Sequence, residues 1–275
     1  MDVECCVCDL DGTLLNSSMA LSDANISAIR ILQERGIMVV LATGRNDLYV
    51  KDIARQLGIS TPIISCNGGL VRWQDTGEIL YSKHLPSPTD RTIIEYCLAK
   101  DYDFTVSSYD CIYHRKNSER VAVFHQYNAK VHLSLRVPLK EITQSDALPL
   151  GKLLKLFIWK LNKSQIDEFS QLHNSEGKLT IVSSEKNGLD IMAQCTSKGE
   201  ALRFFTEKYG INLANTMVFG DNYNDISMME LAGYPIAVAN AEEQVKQSAK
   251  YVTLSNNEDG VAYAIHQYIL DKRLT

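Results

Sequence analysis

Short apolar runs alternate with segments whose apolar residues recur at helical spacing at both ends of this chain, and the middle breaks that rhythm. Val3 to Asp9 suits a buried parallel strand. Ser22 or Asp23 caps a predicted helix with Ile26, Ile29 and Leu32 on its apolar side, and Gly36 ends it. Ile37 to Thr43 reads as a second strand, Asp47 to Leu57 as a helix closed by Gly58, and Pro62 to Cys66 as a third strand. Such a β-α-β-α-β series predicts a parallel sheet with helices on both faces. Near the carboxyl end the pattern returns, with helices over Lys198 to Tyr209, Asp225 to Ala232, Glu242 to Ala249 and Gly260 to Lys272. Strands over Thr216 to Phe219, Ile236 to Ala239 and Tyr251 to Leu254 lie between them.

In the middle, Leu70 to Trp73 and Ile79 to Ser82 flank an Asp-Thr-Gly turn and predict a hairpin. Further on, helices are expected over Thr89 to Ala99 and Lys163 to His173. Strands are expected within Phe104 to His114 and over Leu153 to Leu161 and Lys178 to Ser183. This mixture reads as an α+β unit. The expected organisation is an α/β core from residues 1–81 and 189–275, with an α+β domain inserted over residues 82–188. Asp190 is expected on a core strand, as a structural residue.

Composition narrows the class. Of 275 residues, 45% are hydrophobic and 22% charged, which excludes a disordered chain. A net charge of −5 with no Lys/Arg block argues against nucleic acid as a partner. The amino terminus lacks a basic-then-apolar leader, and no apolar run is long enough to span a bilayer. A cytoplasmic location without membrane attachment is expected. Seven cysteines in no framework spacing read as reduced thiols, mostly small buried apolar groups. Zinc is not expected, because neighbouring positions in Cys5-Cys6-Val7-Cys8 alternate between strand faces. The six histidines form no ligand spacing, and Trp73 and Trp159 read as packing residues.

Four motifs fall at the carboxyl ends of predicted core strands, where open α/β sheets place their ligands. The first is Asp9-Leu10-Asp11-Gly12-Thr13. Two carboxylates two residues apart repel unless a cation neutralises them, and a hard ion such as Mg²⁺ suits their oxygens. One carboxylate can attack phosphorus while the other carries a proton. A turn that merely reverses the chain at Asp11-Gly12 is the plainer alternative. Thr43-Gly44-Arg45 offers a hydroxyl and backbone N–H groups to a phosphate. Lys198 opens a helix, where a cation is unfavourable unless it faces an anion. Gly220-Asp221-Asn222-Tyr223-Asn224-Asp225 supplies two acidic groups four apart and the amide of Asn224.

Taken in order, the four motifs resemble the signature of the haloacid dehalogenase-like hydrolase superfamily, and within it the Cof-type phosphatases. The insert lies between the second and third motifs, as the cap domain of that subgroup does. Cys66-Asn67-Gly68-Gly69 is similar to its Asn-Gly-Ala segment, with Gly69 in place of the Ala. The resemblance implies a Rossmann-like doubly wound core with a C2-type cap. It implies that Asp9 is the nucleophile and Asp11 the acid and then base. Mg²⁺ would be held by Asp9, the backbone carbonyl of Asp11, and Asp221, with Asp225 supporting from behind. Leu10 through its backbone N–H, Thr43, Gly44, Lys198 and Asn224 would hold the phosphoryl group. The implied activity is hydrolysis of small phosphomonoesters, such as sugar phosphates, pyridoxal phosphate or flavin mononucleotide, by a monomer or weak homodimer. A phosphomutase of the phosphomannomutase type and a silent sensor of phosphorylated metabolites are the alternatives.

Overall fold

The computed structural model describes residues 3–174, 176–183 and 187–270. In chain order the elements begin with β1 (Cys5–Cys8), α1 (Asp23–Glu34), β2 (Met38–Leu41), α2 (Lys51–Leu57), β3 (Ile63–Ser65), β4 (Leu70–Arg72) and β5 (Ile79–Ser82). Then come α3 (Thr89–Ala99), β6 (Asp103–Ser107), β7 (Ile112–Arg115), α4 (Val121–Lys130), β8 (Leu139–Ile142), β9 (Lys155–Trp159), α5 (Lys163–His173), β10 (Leu179–Val182) and β11 (Gly188–Ala193). The carboxyl part carries α6 (Lys198–Tyr209), β12 (Thr216–Gly220), α7 (Ile226–Met229), β13 (Tyr234–Ala237), α8 (Glu243–Ser248), β14 (Tyr251–Val252) and α9 (Gly260–Ile265). The last residues of the helix expected over Gly260 to Lys272 lie outside the described residues.

Two compact units result. One holds the described chain up to Gly44, Ile53–Tyr81, and all that is described from Ser197 onward. The other holds Arg45–Asp52 and Ser82–Thr196.

The first unit is built on an all-parallel sheet in the order β14-β13-β12-β1-β2. Strand β1, between β12 and β2, is Cys-Cys-Val-Cys, buried throughout, as a strand covered on both faces must be. Cys5 and Val7 pack with Val40, Val218 and, from α6 and α7, Leu202, Phe205, Met228 and Met229. Helices α1 and α9 pack on each other, tied by Asn25, whose amide donates to the Leu14 carbonyl and accepts from the Ala262 N–H. A small sheet, β3-β4-β5, contains the expected hairpin and joins the end of β2 through a parallel bridge between Ala42 and Ile64. This is the parallel core sheet of the Rossmann-like fold, with a mixed-sheet unit inserted.

The inserted unit carries a mixed sheet in the order β10-β11-β9-β6-β7-β8. Leu156 and Ile158 alternate with Lys155, Phe157 and Trp159 along β9, so one face is apolar. Ile93, Ile94 and Cys97 of α3 and Phe169 of α5 cover that face, with Phe104, Val106, Leu189 and Ile191.

Two features differ from the sequence expectation. Gly188–Ala193, expected in the core, is a strand of the inserted unit's sheet, and Asp190 there pairs with Lys155 at 2.5 Å. The chain returns to the first unit at Ser197, not at residue 189. The expected helix over Asp47 to Leu57 is also split. Asp47–Tyr49 forms a single 3₁₀ turn inside the inserted unit, and the α-helix starts at Lys51. Leu48 packs with Ile112, Val121, Phe124 and Val137, and Tyr49 meets the rings of Phe124 and Tyr127 edge-on. These are long-range contacts, and helical periodicity carries no information about them.

Gly68 has φ +92°, and a Cβ there would sit 2.0 Å from the backbone oxygen of Ser197. Gly77 shares the left-handed backbone (φ +74°) but has open space around it. Gly68→Ala is therefore expected to destabilise the protein by roughly 2–5 kcal/mol, strain and overlap combined, and Gly77→Ala by only about 1. The midpoints of urea unfolding of the two variants measure the difference.

Candidate active site

The first, second and fourth motif loops follow β1, β2 and β12 of the first unit's sheet, whereas the third, expected after a core strand, follows β11 of the inserted unit and places Lys198 at the start of α6 in the first unit. The first follows β1. The Leu10 carbonyl accepts from the N–H groups of Thr13, Leu14 and Leu15, which curls the chain tightly, with Gly12 at φ +80°. A Cβ on Gly12 would lie 2.3 Å from Oδ2 of Asp221, so the curl needs glycine in order to rest against the fourth loop. Thr13 Oγ1 donates to Asp221 Oδ1 at 2.9 Å and closes that contact.

The fourth loop follows β12. Asp225 Oδ2 accepts from the backbone N–H groups of Asp221 (2.9 Å) and Asn222 (3.1 Å), which bends the loop back on itself. Asp225 Oδ1 accepts from Lys198 Nζ at 2.6 Å. Lys198 is the first residue of α6, behind Ser197, whose hydroxyl caps the helix by accepting from the Glu200 N–H. Its side chain is wholly buried, and Nζ also donates to Asp9 Oδ1 at 2.5 Å. One ammonium thus bridges the first and fourth loops.

The second loop follows β2. Thr43 donates its N–H to the Ile64 carbonyl and accepts from the Asn67 N–H, so the loop is latched to the turn after β3. Asn224 Nδ2 donates to Asn67 Oδ1 at 2.9 Å, and a Cβ on Gly44 would lie 2.9 Å from that same oxygen. The second and fourth loops therefore meet through Asn67.

Charge is unbalanced here. One oxygen from each of Asp9, Asp221 and Asp225 lies within 4.8 Å of the others. Burial pushes the Asp9 carboxyl well above its usual range. Lys198 opposes that rise, and the charges of Asp225, Asp221 and Asp11 add to it. Asp221 is pushed up to about 7, first by burial and then by Asp225, against the Thr13 hydrogen bond and Lys198. Burial would lower the Lys198 pKa, but Asp225 and Asp9 outweigh it and raise it. A dense set of hard oxygen donors with excess negative charge is what a divalent cation satisfies, so this carboxylate cluster fits a divalent metal. Asp11 is not among the three clustered carboxylates, although its charge reaches Asp9 and Asp221.

The residues named from the sequence thus converge: Asp9, Lys198, Asp221 and Asp225 directly, and Thr43, Gly44 and Asn224 around Asn67. Thr13 was missed as a support of Asp221; only its place in the Asp-x-Asp-Gly-Thr run pointed to it. Asn67 stood in a segment noted for its resemblance but received no role. Five of the seven cysteines are buried, Cys111 is half-buried and Cys195 exposed. Among the described residues they form no metal-ligand group. The same residues include no helix long and apolar enough to cross a membrane.

A parallel sheet whose strand ends gather an acidic cluster, a buried lysine and an amide-lined loop defines a phosphoryl-transfer site of the haloacid dehalogenase type. The chain belongs to the haloacid dehalogenase-like hydrolases, whose family model matches residues 6–265. It is 32% identical to the 5-amino-6-(5-phospho-D-ribitylamino)uracil phosphatase YwtE of Bacillus subtilis, over 97% of this chain and 98% of the relative. It is 31% identical to the phosphatase YwpJ of the same organism, over 93% of this chain and 96% of the relative. A haloacid dehalogenase-like hydrolase from Bacteroides thetaiotaomicron superposes with a TM-score of 0.85 at 27% identity, covering 97% of this chain and 100% of that one. The chain is accordingly an enzyme of the phosphatase type, with phosphoryl-transfer chemistry on small phosphorylated substrates.

Proposed function

We propose that the protein is a Mg²⁺-dependent phosphomonoesterase that works through an aspartyl-phosphate on Asp9. The observation that carries this reading is the Lys198 bridge between Asp9 and Asp225 beside Asp221: it holds one carboxylate still in a site built for opposite charge. Asp9 is the nucleophile. Its free oxygen attacks phosphorus, the bond from phosphorus to the leaving oxygen breaks, and Asp11 gives that oxygen a proton. Asp11 then takes a proton from water as the water attacks phosphorus, which frees phosphate and restores Asp9.

Mg²⁺, held by Asp9, the Asp11 carbonyl and Asp221, would neutralise charge on the phosphoryl oxygens. Asp225 keeps the fourth loop bent and Lys198 in place. Thr43, the backbone N–H groups of Gly44 and Leu10, Lys198 and Asn224 are assigned to the equatorial oxygens. Choice of leaving group is assigned to the inserted unit. The substrates are small phosphorylated metabolites, and 5-amino-6-(5-phospho-D-ribitylamino)uracil belongs in the first panel beside sugar phosphates, pyridoxal phosphate and flavin mononucleotide.

The test is inorganic phosphate release across that panel with Mg²⁺. Turnover without a bisphosphorylated activator is the expected result, and it separates the phosphatase from a mutase. Tight binding of a phosphorylated metabolite with no release from any substrate would overturn the reading in favour of a sensor.

The acidic cluster also sets a pH dependence. With divalent cations chelated, folded Asp221 keeps its proton up to about pH 7, whereas the unfolded chain gives it up near the ordinary carboxyl value of 3.8. The folded state therefore binds more protons between those limits, and stability must fall as pH rises through that window. Asp9 acts in the same direction. Added Mg²⁺ competes with those protons. Thermal melting should show a Mg²⁺-induced rise that is larger at pH 8 than at pH 5, and equal rises at both would contradict the cluster's role.

A further inference from the structure

Asn67 has no assigned part in the chemistry above, yet it is among the most constrained polar residues of the first unit. It is 2% exposed and holds a left-handed backbone, φ +56° and ψ +32°, which asparagine tolerates better than most residues. Its N–H donates to the Thr43 carbonyl at 3.0 Å. The next residue, Gly68, lies so close to Ser197 that no side chain fits. The turn is thus wedged between the loop carrying Thr43-Gly44 and the start of the helix carrying Lys198.

The side chain has two ends with different fates. Oδ1 accepts from Asn224 Nδ2 at 2.9 Å. Nδ2 is buried and has no hydrogen-bond partner in the protein. Leaving such a donor unpaired costs about 1–3 kcal/mol, so its retention calls for a partner outside the chain. The same side chain touches, through Oδ1, the two positions Gly44 and Asn224, both assigned to the phosphoryl oxygens.

We propose that Asn67 is a further phosphoryl-site residue, which orients the Asn224 amide through Oδ1 and offers its own Nδ2 hydrogens to the same oxyanion. This rests on the reading of the site as a phosphatase centre and names a residue that the motif roles leave out. The physical reason for the pair is selection of one amide orientation. A free Asn224 side chain is nearly symmetric about its last torsion and can present either its carbonyl or its N–H groups. Asn67 Oδ1 accepts one hydrogen of Asn224 Nδ2, so neither amide can flip alone without setting two like groups together, and a bound anion selects the joint orientation that presents both Nδ2 groups. The second hydrogen of that nitrogen then stays available to an anion. No such fixing is needed at Lys198, which has donors only.

The test uses the whole chain with Mg²⁺, p-nitrophenyl phosphate as substrate and orthovanadate as the anion probe. Two variants suit the left-handed backbone: Asn67→Gly, which removes both functions, and Asn67→Asp, which keeps an acceptor for Asn224 but puts a negative charge where the donor was. Asn67→Gly is expected to weaken orthovanadate binding, measured by calorimetry, about tenfold or more and to lower kcat/KM by about 10- to 100-fold. Asn67→Asp should lose more than Asn67→Gly despite its closer shape, which a packing role does not explain.

Asn67→Gly added to Asn224→Ala should cost less than the product of the two single losses, because the two amides act as a unit. Wild-type orthovanadate affinity and kcat/KM in both Asn67 variants would overturn the inference, as would full multiplicativity with Asn224→Ala. Failure of the phosphatase reading is a different result: the unaltered protein would neither release phosphate nor bind orthovanadate.

Discussion

Asp9→Asn is expected to lower phosphate release by a factor on the order of 10⁴ or more while leaving the fold intact. The amide has nearly the shape of the carboxylate, so the contact with Lys198 Nζ can be kept through its carbonyl oxygen. What is lost is the nucleophile. Stability should move the other way. Asp9 is a buried carboxylate held against the charges of Asp225, Asp221 and Asp11, and its raised pKa records that cost. Removing the charge relieves repulsion, so the metal-free variant should melt no lower than the unaltered protein. Inactivity together with an undiminished melting temperature separates a chemical role from a structural one. A large fall in melting temperature would mean that the residue chiefly supports the fold.

Lys198→Met should damage both properties. Methionine approximates the apolar stem of lysine, so the substitution mainly deletes the ammonium. That ammonium is wholly buried and bonded to both Asp9 and Asp225. Removing one member of a buried ion pair leaves an uncompensated charge, at a cost of about 3–5 kcal/mol. The same deletion removes a donor to the transferred group, and a loss of about 10²- to 10³-fold in kcat is expected. If charge is the cause, Asp225→Asn in the Lys198→Met background should recover part of the lost stability, although alone it removes a partner of Lys198. Urea unfolding of the two single variants and the double variant reads this directly. Wild-type stability in Lys198→Met would show that Asp9 and Asp225 do not depend on the bridge.

Much of this site was legible because its chemistry is local. Asp9 and Asp11 share one short loop, Asp221 to Asp225 another, and each follows an apolar run that could only be a buried strand. The parallel sheet followed from the same alternation. What stayed hidden depends on contacts between distant segments. Residues 47–52 look like the start of a core helix, but Leu48 and Tyr49 are held by Phe124 and Tyr127, more than seventy positions away. Helix α4, with Val121, Val123, His125 and Asn128, has weak intrinsic helical preference and was not anticipated. Strand β11 directly precedes the third motif, and nothing in Gly188 to Ala193 states that its partners are β9 and β10. The part played by Asn67 has the same origin: Asn-Gly after a strand reads as a turn, and only folding brings it to Gly44 and Asn224.

The central claim is a covalent bond between Asp9 and phosphorus, and chemical trapping tests it most directly. Asp11→Asn should slow breakdown of the acyl phosphate, while p-nitrophenyl phosphate, whose leaving group needs little protonation, still allows it to form. After a rapid quench, borohydride reduces an aspartyl-phosphate to homoserine, which peptide mass spectrometry locates. Homoserine at position 9 is the expected result. An unaltered Asp9 in protein that demonstrably carries phosphate on another residue would contradict the account.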